Sequence, residues 1–327
     1  MNKTSDEQSE GKGGTAYPAL IEQVIVLTGP TASGKSEVAI SLAERIGGEI
    51  ISLDSIAVYR GMDIGTAKPS PLDRDRISHH LIDLVDPTDE FSVVCYLDAA
   101  HNKVREILDR GCVPIFVGGT PMFLKGVLRG FSPGPSADWD FRGKVEADLA
   151  IHGVDALWTR LEQVDPLAAH RIAKSDTRRM IRALEVAKVS GTPISHQQTQ
   201  FEYTLDASEC NVFSLAWDRE ELHRRINRRV ESMFSLGLIE EVRELISQFG
   251  RLSRTASQAV GYREIIEGLR EAKPKEQMIE EVAAHTRQLA RRQETWFRSF
   301  QEIRRITMQD NFDAEDVVGQ LTKMITK

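Results

Sequence analysis

Cysteine is scarce in this chain of 327 residues: Cys95, Cys112 and Cys210 are its only three, far apart and without a CxxC pair. That spacing excludes a disulfide framework and a zinc-finger reading, and a reducing cytoplasm is the simplest setting. Long apolar runs are also missing, none approaching the roughly 18 residues that span a bilayer, so no membrane role is expected. The opening MNKTSDEQSEGKGGTAYP has no apolar core of a secretory signal, and its acidic residues argue against a transit peptide. A disordered polar tail is expected over residues 1–22. No excess of positive charge exists either: the formal net charge is −7, so any nucleic acid must be gripped by local arginine clusters. No long heptad and no obvious apolar patch point to an obligate protein partner, and a monomer is expected.

What is present is ordinary globular material, 41% hydrophobic and 28% charged residues. Val24 to Thr28 is a short β-branched run, followed at once by GPTASGKS and then by SEVAISLAERI, apolar at helical spacing. Further apolar runs at Glu49 to Asp54 and Val113 to Val117 flank a helical segment from Tyr96 to Gly111. Alternating buried strands and helices predict an α/β protein, a parallel sheet with helices on both faces. After Phe131 the breaker cluster SPGPSAD opens about 70 residues of helical pattern, and Asn211 to Trp217 restores a strand. The expected organisation is a core over 23–135, an inserted helical subdomain over 136–208, and core completion with C-terminal helices over 209–327.

GPTASGKS satisfies G-x-x-x-x-G-K-[ST] at Gly29, Gly34, Lys35 and Ser36. Average composition produces such a match in a chain of this length about 1% of the time, and the strand before it and the helix after it reduce that further. The fold class is therefore P-loop NTPase-like. The loop residues are Gly29, Pro30, Thr31, Ala32, Ser33 and Gly34, and its available backbone N–H groups converge with the positive helix end on a diphosphate or triphosphate. Lys35 adds a point charge, and the Ser36 hydroxyl is the expected Mg²⁺ ligand.

The loop does not say what the phosphate carries. The run to Val117 ends in Gly118-Gly119-Thr120 without the carboxylate of a hydrolytic ATPase. Asp54 instead ends the second strand, at the edge where such sheets bind ligands, and is placed to take a proton from an acceptor. For a lone Asp the commoner role is a turn or helix cap. A small-molecule or nucleotide kinase, and a non-catalytic RNA-binding or switch protein, both remain open on these residues.

GPTASGKS, ISLDSIAVYRGMDIGTAKP, VGGT, DTRRMIRALEV, AVGYREI and TRQLARRQETWF, in that order between Val24 and Phe300, resemble the tRNA dimethylallyltransferase family. The resemblance implies transfer of a dimethylallyl group from dimethylallyl diphosphate to N6 of adenosine 37 in tRNA. It implies that Asp54 accepts the N6 proton, and that Thr31, Lys35, Ser36 with Mg²⁺, and Arg263 neutralise the diphosphate. Thr120 is implied to contact the target nucleotide, with Ser55, Ile56 and Ala57 beside it. The usual GGTGLY of the family stands here as GGTPMF, which puts Pro121 directly after Thr120. RNA contacts are implied for Arg142, for Arg178, Arg179, Met180, Ile181 and Arg182, and for Arg287, Gln288, Leu289, Ala290, Arg291 and Arg292. At about 100° per residue, Val282, Leu289, Trp296 and Phe300 form one stripe of the last long helix, with Arg287, Arg291 and Arg298 opposite. A solvated basic face is the plain reading of those arginines; phosphate contact is the one the resemblance favours.

Overall fold

The computed structural model describes residues 16–197, 204–309 and 313–325, and contacts divide them into two units. The larger, residues 19–129 and 204 onward, begins with β1 (Ile25–Thr28), α1 (Lys35–Ile46), β2 (Gly48–Leu53), α2 (Pro71–Arg76) and β3 (His79–His80). It continues through α3 (Val93–Asp109), β4 (Val113–Gly118) and α4 (Pro121–Arg129). α1 buries Val38, Ala39, Ile40, Leu42 and Ala43 and stops at Gly47, whose φ of 68° is the left-handed conformation that ends a helix. α3 is capped by Ser92, which accepts the Cys95 N–H, so this helix starts ahead of the expected Tyr96.

The smaller unit, residues 130–197 with 16–18, is helical throughout: α5 (Trp139–Val164), α6 (Pro166–Arg171), α7 (Thr177–Ser190) and α8 (Ile194–Gln197). Its own core is built from Phe141, Val145, Leu157, Leu161, Met180, Ile181 and Leu184. α5 breaks at Gly153, whose φ of 77° and ψ of 177° no helix accommodates. The larger unit then resumes with β5 (Val212–Ala216), α9 (Arg219–Ser235), α10 (Leu238–Phe249), α11 (Arg254–Ser257), α12 (Tyr262–Arg270), α13 (Lys275–Arg298), β6 (Arg304–Thr307) and α14 (Ala314–Met324).

The six strands form one parallel sheet in the order β3-β2-β4-β1-β5-β6, with helices packed around it. β1 is central, Leu27 pairing with Val117 on one side and Phe213 on the other, and all four of its residues are buried. The register brings Thr28 and Leu53 to the same partner, Gly118, so the carboxyl ends of β1, β2 and β4 meet at one point. There a Cβ on Gly118 would lie 2.2 Å from the Leu53 carbonyl oxygen, so only glycine fits.

Three features depart from the sequence reading. β3 and β6 were not foreseen: one has two residues, and the other, Arg304-Arg305-Ile306-Thr307, carries too few apolar positions to announce a strand. The smaller unit begins at Gly130, ahead of residue 136. Of the expected tail, residues 1–15 lie outside the described residues, but Tyr17 exchanges backbone hydrogen bonds with Phe131 at 3.0 and 2.8 Å, and Leu20 and Ile21 are buried. Among the described residues no helix is long and apolar enough to cross a membrane.

Candidate active site

The loop between β1 and α1 is held from three directions. Gly29 has φ 144° and sits so close to β5 that a Cβ would lie 2.8 Å from the Leu215 carbonyl oxygen; Ala32 and Gly34 also have positive φ, 63° and 90°. Trp217, just past β5, donates its indole N–H to the Ser33 carbonyl at 2.9 Å. Arg225 of α9 donates to the Ala32 carbonyl at 2.8 Å while its guanidinium lies 4.3 Å from the centre of the Trp217 ring. Gln293 of α13 accepts the Thr31 N–H at 3.0 Å and donates to the Gly119 carbonyl at 2.9 Å, tying the loop to the end of β4. A loop this fully satisfied is preorganised for an anion.

Beneath it lies a cavity of about 130 Å³. Thr31, Lys35, Ser36 and Gln293 line it, together with Asp54, Ala57, Lys68 and Arg229. Lys35 Nζ turns back to the Pro30 carbonyl at 2.7 Å. Burial lowers its pKa first, the Arg229 guanidinium lowers it further, and Asp54 partly opposes them, leaving it at about 7. Burial also lowers the pKa of Arg229, against the pull of Asp54. Asp54 Oδ1 accepts the N–H groups of Ile56 at 2.8 Å and Ala57 at 3.2 Å, which fixes the carboxylate and leaves Oδ2 for a proton. The turn role and the chemical role are thus held by different oxygens of one side chain. Ser36 and Asp54 offer hard oxygen donors in this cavity beside the loop, a set chemically suited to Mg²⁺.

Other expected residues sit elsewhere. Thr120 precedes α4; its hydroxyl accepts the Ser55 N–H at 3.0 Å, so it braces the turn carrying Asp54 and does not line the cavity. Pro121 follows at the first position of α4, where a helix needs no N–H, so the GGTPMF spelling is compatible with the fold. Arg263 does not line the cavity either. Tyr262 beside it turns inward and is fully buried, and one step round α12 sends Arg263 to another groove, where it bonds Glu264 at 2.5 Å and His285 at 3.2 Å.

In the smaller unit the TRRMIR arginines divide. Met180 and Ile181 are core residues, and Arg142 and Arg182 close on the buried Glu185. Arg178 and Arg179 are exposed. On α13, Arg287, Gln288, Ala290 and Arg291 border a groove against α9 of about 580 Å³, with Arg219, His223 and Arg298. Arg287 donates to Asn227 at 2.7 Å, while Arg292 is exposed outside that lining. The buried stripe of α13 is Val282, Thr286, Ala290, Gln293 and Phe297, so Leu289 and Trp296 lie on its edge and not at its centre.

Gln293 and Arg229 were missed by the sequence reading. Gln293 could have been found as a polar residue at an apolar position of that stripe. Arg229 gives no such signal, because it sits in the run RRINRRV among four arginines of which any could face inward.

Two family models match the chain: one described as IPP transferase over residues 57–300, the other as isopentenyl transferase over residues 22–81. The chain is 55% identical to the tRNA dimethylallyltransferase of Rhodopirellula baltica, over 94% of this chain and 95% of that protein. It is 41% identical to the enzyme of the same name from Geobacter sulfurreducens, over 91% and 96%. Among solved structures, the full-length tRNA isopentenylpyrophosphate transferase of Bacillus halodurans superposes with a TM-score of 0.65 at 38% identity, covering 93% of this chain and 98% of that one. A eukaryotic dimethylallyltransferase acting on tRNA superposes at 0.72 with 27% identity, covering 88% and 74%.

Proposed function

The chain belongs to the IPP transferase family, and from that premise we propose that it transfers a dimethylallyl group from dimethylallyl diphosphate to N6 of adenosine 37 in tRNA, in the cytoplasm. What carries the reading is a single cavity lined both by the phosphate-loop residues Lys35 and Ser36 and by the carboxylate of Asp54. An exocyclic amine is a weak nucleophile, so the transfer needs a base, an aligned electrophile and relief of the departing charge. The loop amides, Lys35 and Arg229 bind the diphosphate end; Arg229 takes the place that the motif suggested for Arg263. Asp54 Oδ2 accepts the N6 proton as nitrogen bonds to the terminal allylic carbon, and the carbon–oxygen bond breaks with its electron pair leaving on diphosphate. Ser36 would hold Mg²⁺, which when bound would supply further neutralisation of the departing charge. Thr120 keeps the Asp54 turn in place. Adenosine 37 must leave the anticodon stack to reach the cavity, which costs only a few kcal/mol in a single-stranded loop.

A kinase would use the same loop, but nothing in the cavity selects a phosphoryl acceptor, and the family premise does not favour one. The test mixes the protein, Mg²⁺, dimethylallyl diphosphate and an anticodon stem-loop, and weighs the RNA by mass spectrometry. The expected result is a gain of one dimethylallyl group, with turnover lowered about 10²- to 10⁴-fold in Asp54→Ala and RNA affinity retained. A nearly normal rate in that variant removes Asp54 as the base. No gain with the wild type, together with ATP-dependent phosphorylation of a metabolite, overturns the proposal.

A further inference from the structure

We infer that Glu241, on α10, is a positioning residue that holds the wall of the active-site cavity from behind; the inference rests on the transfer reaction proposed above. The segment after β2 leaves the cavity at Asp54 and returns to it as Thr66, Ala67, Lys68 and Pro69. At its far bend three consecutive amides point at one carboxylate. Asp63 N–H and Ile64 N–H donate to Glu241 Oε2 at 3.0 and 2.7 Å, and Gly65 N–H donates to Oε1 at 3.3 Å. Tyr262 Oη donates to the same Oε1 at 2.6 Å. Successive N–H groups converging in this way make a nest for an anion, and here the chain supplies that anion itself, from a residue 178 positions away.

The bend is fitted to its support as well as bonded to it. A Cβ on Gly65 would lie 2.4 Å from Cε2 of Tyr262, and that ring is fully buried and has no room to yield. Displacing the bend would be felt at the reacting centre through two links. Lys68, almost wholly buried, donates to Asp63 Oδ1 at 2.7 Å, to Asp83 Oδ1 at 2.5 Å and to the Tyr59 carbonyl at 2.6 Å. The Thr66 carbonyl accepts from Arg229 at 3.4 Å, and Arg229 faces Asp54 and Lys35 across the cavity. Glu241 touches neither substrate nor reacting atom. It sets the position of the groups that do, and transfer rates are sensitive to misplacement of about 1 Å.

The experiment measures dimethylallyl transfer to an anticodon stem-loop and, separately, the Kd for that RNA, for wild type, Glu241→Ala, Glu241→Gln, Tyr262→Phe, Tyr262→Ala, Gly65→Ala and Gly65→Ala/Tyr262→Ala. Glu241→Ala is expected to lose at least tenfold in kcat with RNA Kd within twofold of wild type. Glu241→Gln, which keeps one carbonyl oxygen for the amides, recovers a substantial part of that loss. Tyr262→Phe loses a few-fold, because only the hydroxyl is removed. The effects of Gly65→Ala and Tyr262→Ala are less than additive, since the truncated ring makes room for the new methyl group. Should Glu241→Ala not fold, Glu241→Gln and Tyr262→Phe carry the test.

Wild-type kcat in Glu241→Ala, a glutamine variant no better than the alanine one, or equal losses in kcat and in RNA affinity each overturn the inference and leave the transfer reading intact. A wild-type protein that transfers nothing overturns both.

Discussion

In the phosphate cavity Lys35, Arg229 and Asp54 face one another with no direct ion pair among them, whereas in the helical unit Glu185 is completely buried and closed by Arg142, Arg182 and the Asp138 amide. Both regions gather opposite charges out of water. In the first the charges are held apart by backbone: Asp54 by the Ile56 and Ala57 amides, Lys35 by the Pro30 carbonyl. In the second they neutralise each other. Charge kept unpaired is available to a ligand, and charge paired in the interior holds structure together. The same residue types, and in TRRMIR the same six-residue string, therefore do different work according to which carboxylate they can reach.

The largest expected effect tests the structural side of that contrast. Glu185→Ala leaves Arg142 and Arg182 without their partner, and breaking a buried pair costs about 3–5 kcal/mol, so urea or thermal unfolding should show the helical unit melting ahead of the larger one. Burial, the strongest single influence on Glu185, raises its pKa, but the bonds from Arg142, Arg182 and the Asp138 amide outweigh it, and the net shift is downward. A depressed carboxylate contributes stability above its unfolded pKa and loses it as the pH falls through the folded value. The stability that the Glu185 network lends the helical unit should accordingly be lost on acidification. An unfolding curve for Glu185→Ala that matches wild type would remove the distinction.

The next effect tests the cavity. Unliganded Lys35, at about 7, is protonated below that pH and neutral above it. An anionic diphosphate needs the proton, so its affinity should be level below pH 7 and fall by up to tenfold per pH unit above it, with proton uptake on binding near pH 8. For the free protein the sign is opposite. Between about 7 and 10.5 the unfolded chain binds more protons, so this group makes folding more favourable as the pH rises. Calorimetric titration with dimethylallyl diphosphate in buffers of different ionisation heat measures the uptake; no uptake at pH 8 would mean that Lys35 is already charged at that pH in the free protein.

Legibility in the sequence follows the same division. The phosphate loop, the strand before it and the helix after it are local, so eight consecutive residues from Gly29 to Ser36 announced the site. Asp54 was legible because a strand end fixes where a side chain emerges. Arg229 and Gln293 reach the cavity from α9 and α13, brought there by packing, and short motifs carry no record of that. Arg263 shows the converse: it lies in a recognisable string, but the 100° step from the inward Tyr262 turns it away. β3 and β6 escaped because two and four residues cannot establish a period.

The smallest effect concerns the arginines that neither region consumes. Arg178 and Arg179 are exposed, and among the described residues the only ion pair of either is Arg179 with Asp176 at 3.2 Å, a surface contact of the kind worth at most about 1 kcal/mol. Replacing both with alanine should leave the unfolding curve in place, unlike Glu185→Ala. If they meet RNA phosphates, each contributes about 0.7 to the slope of log affinity against log salt for a single strand, so the double variant should bind the stem-loop more weakly and with a slope shallower by about 1.4. The maximal rate at saturating RNA should not change, because neither residue lines the cavity. A slope identical to wild type would make them solvated helix-face residues and leave the groove of Arg287 and Arg291 as the better place to look for backbone contact. A loss of stability would show instead that exposed and buried arginines of this motif do not separate as the Glu185 network indicates.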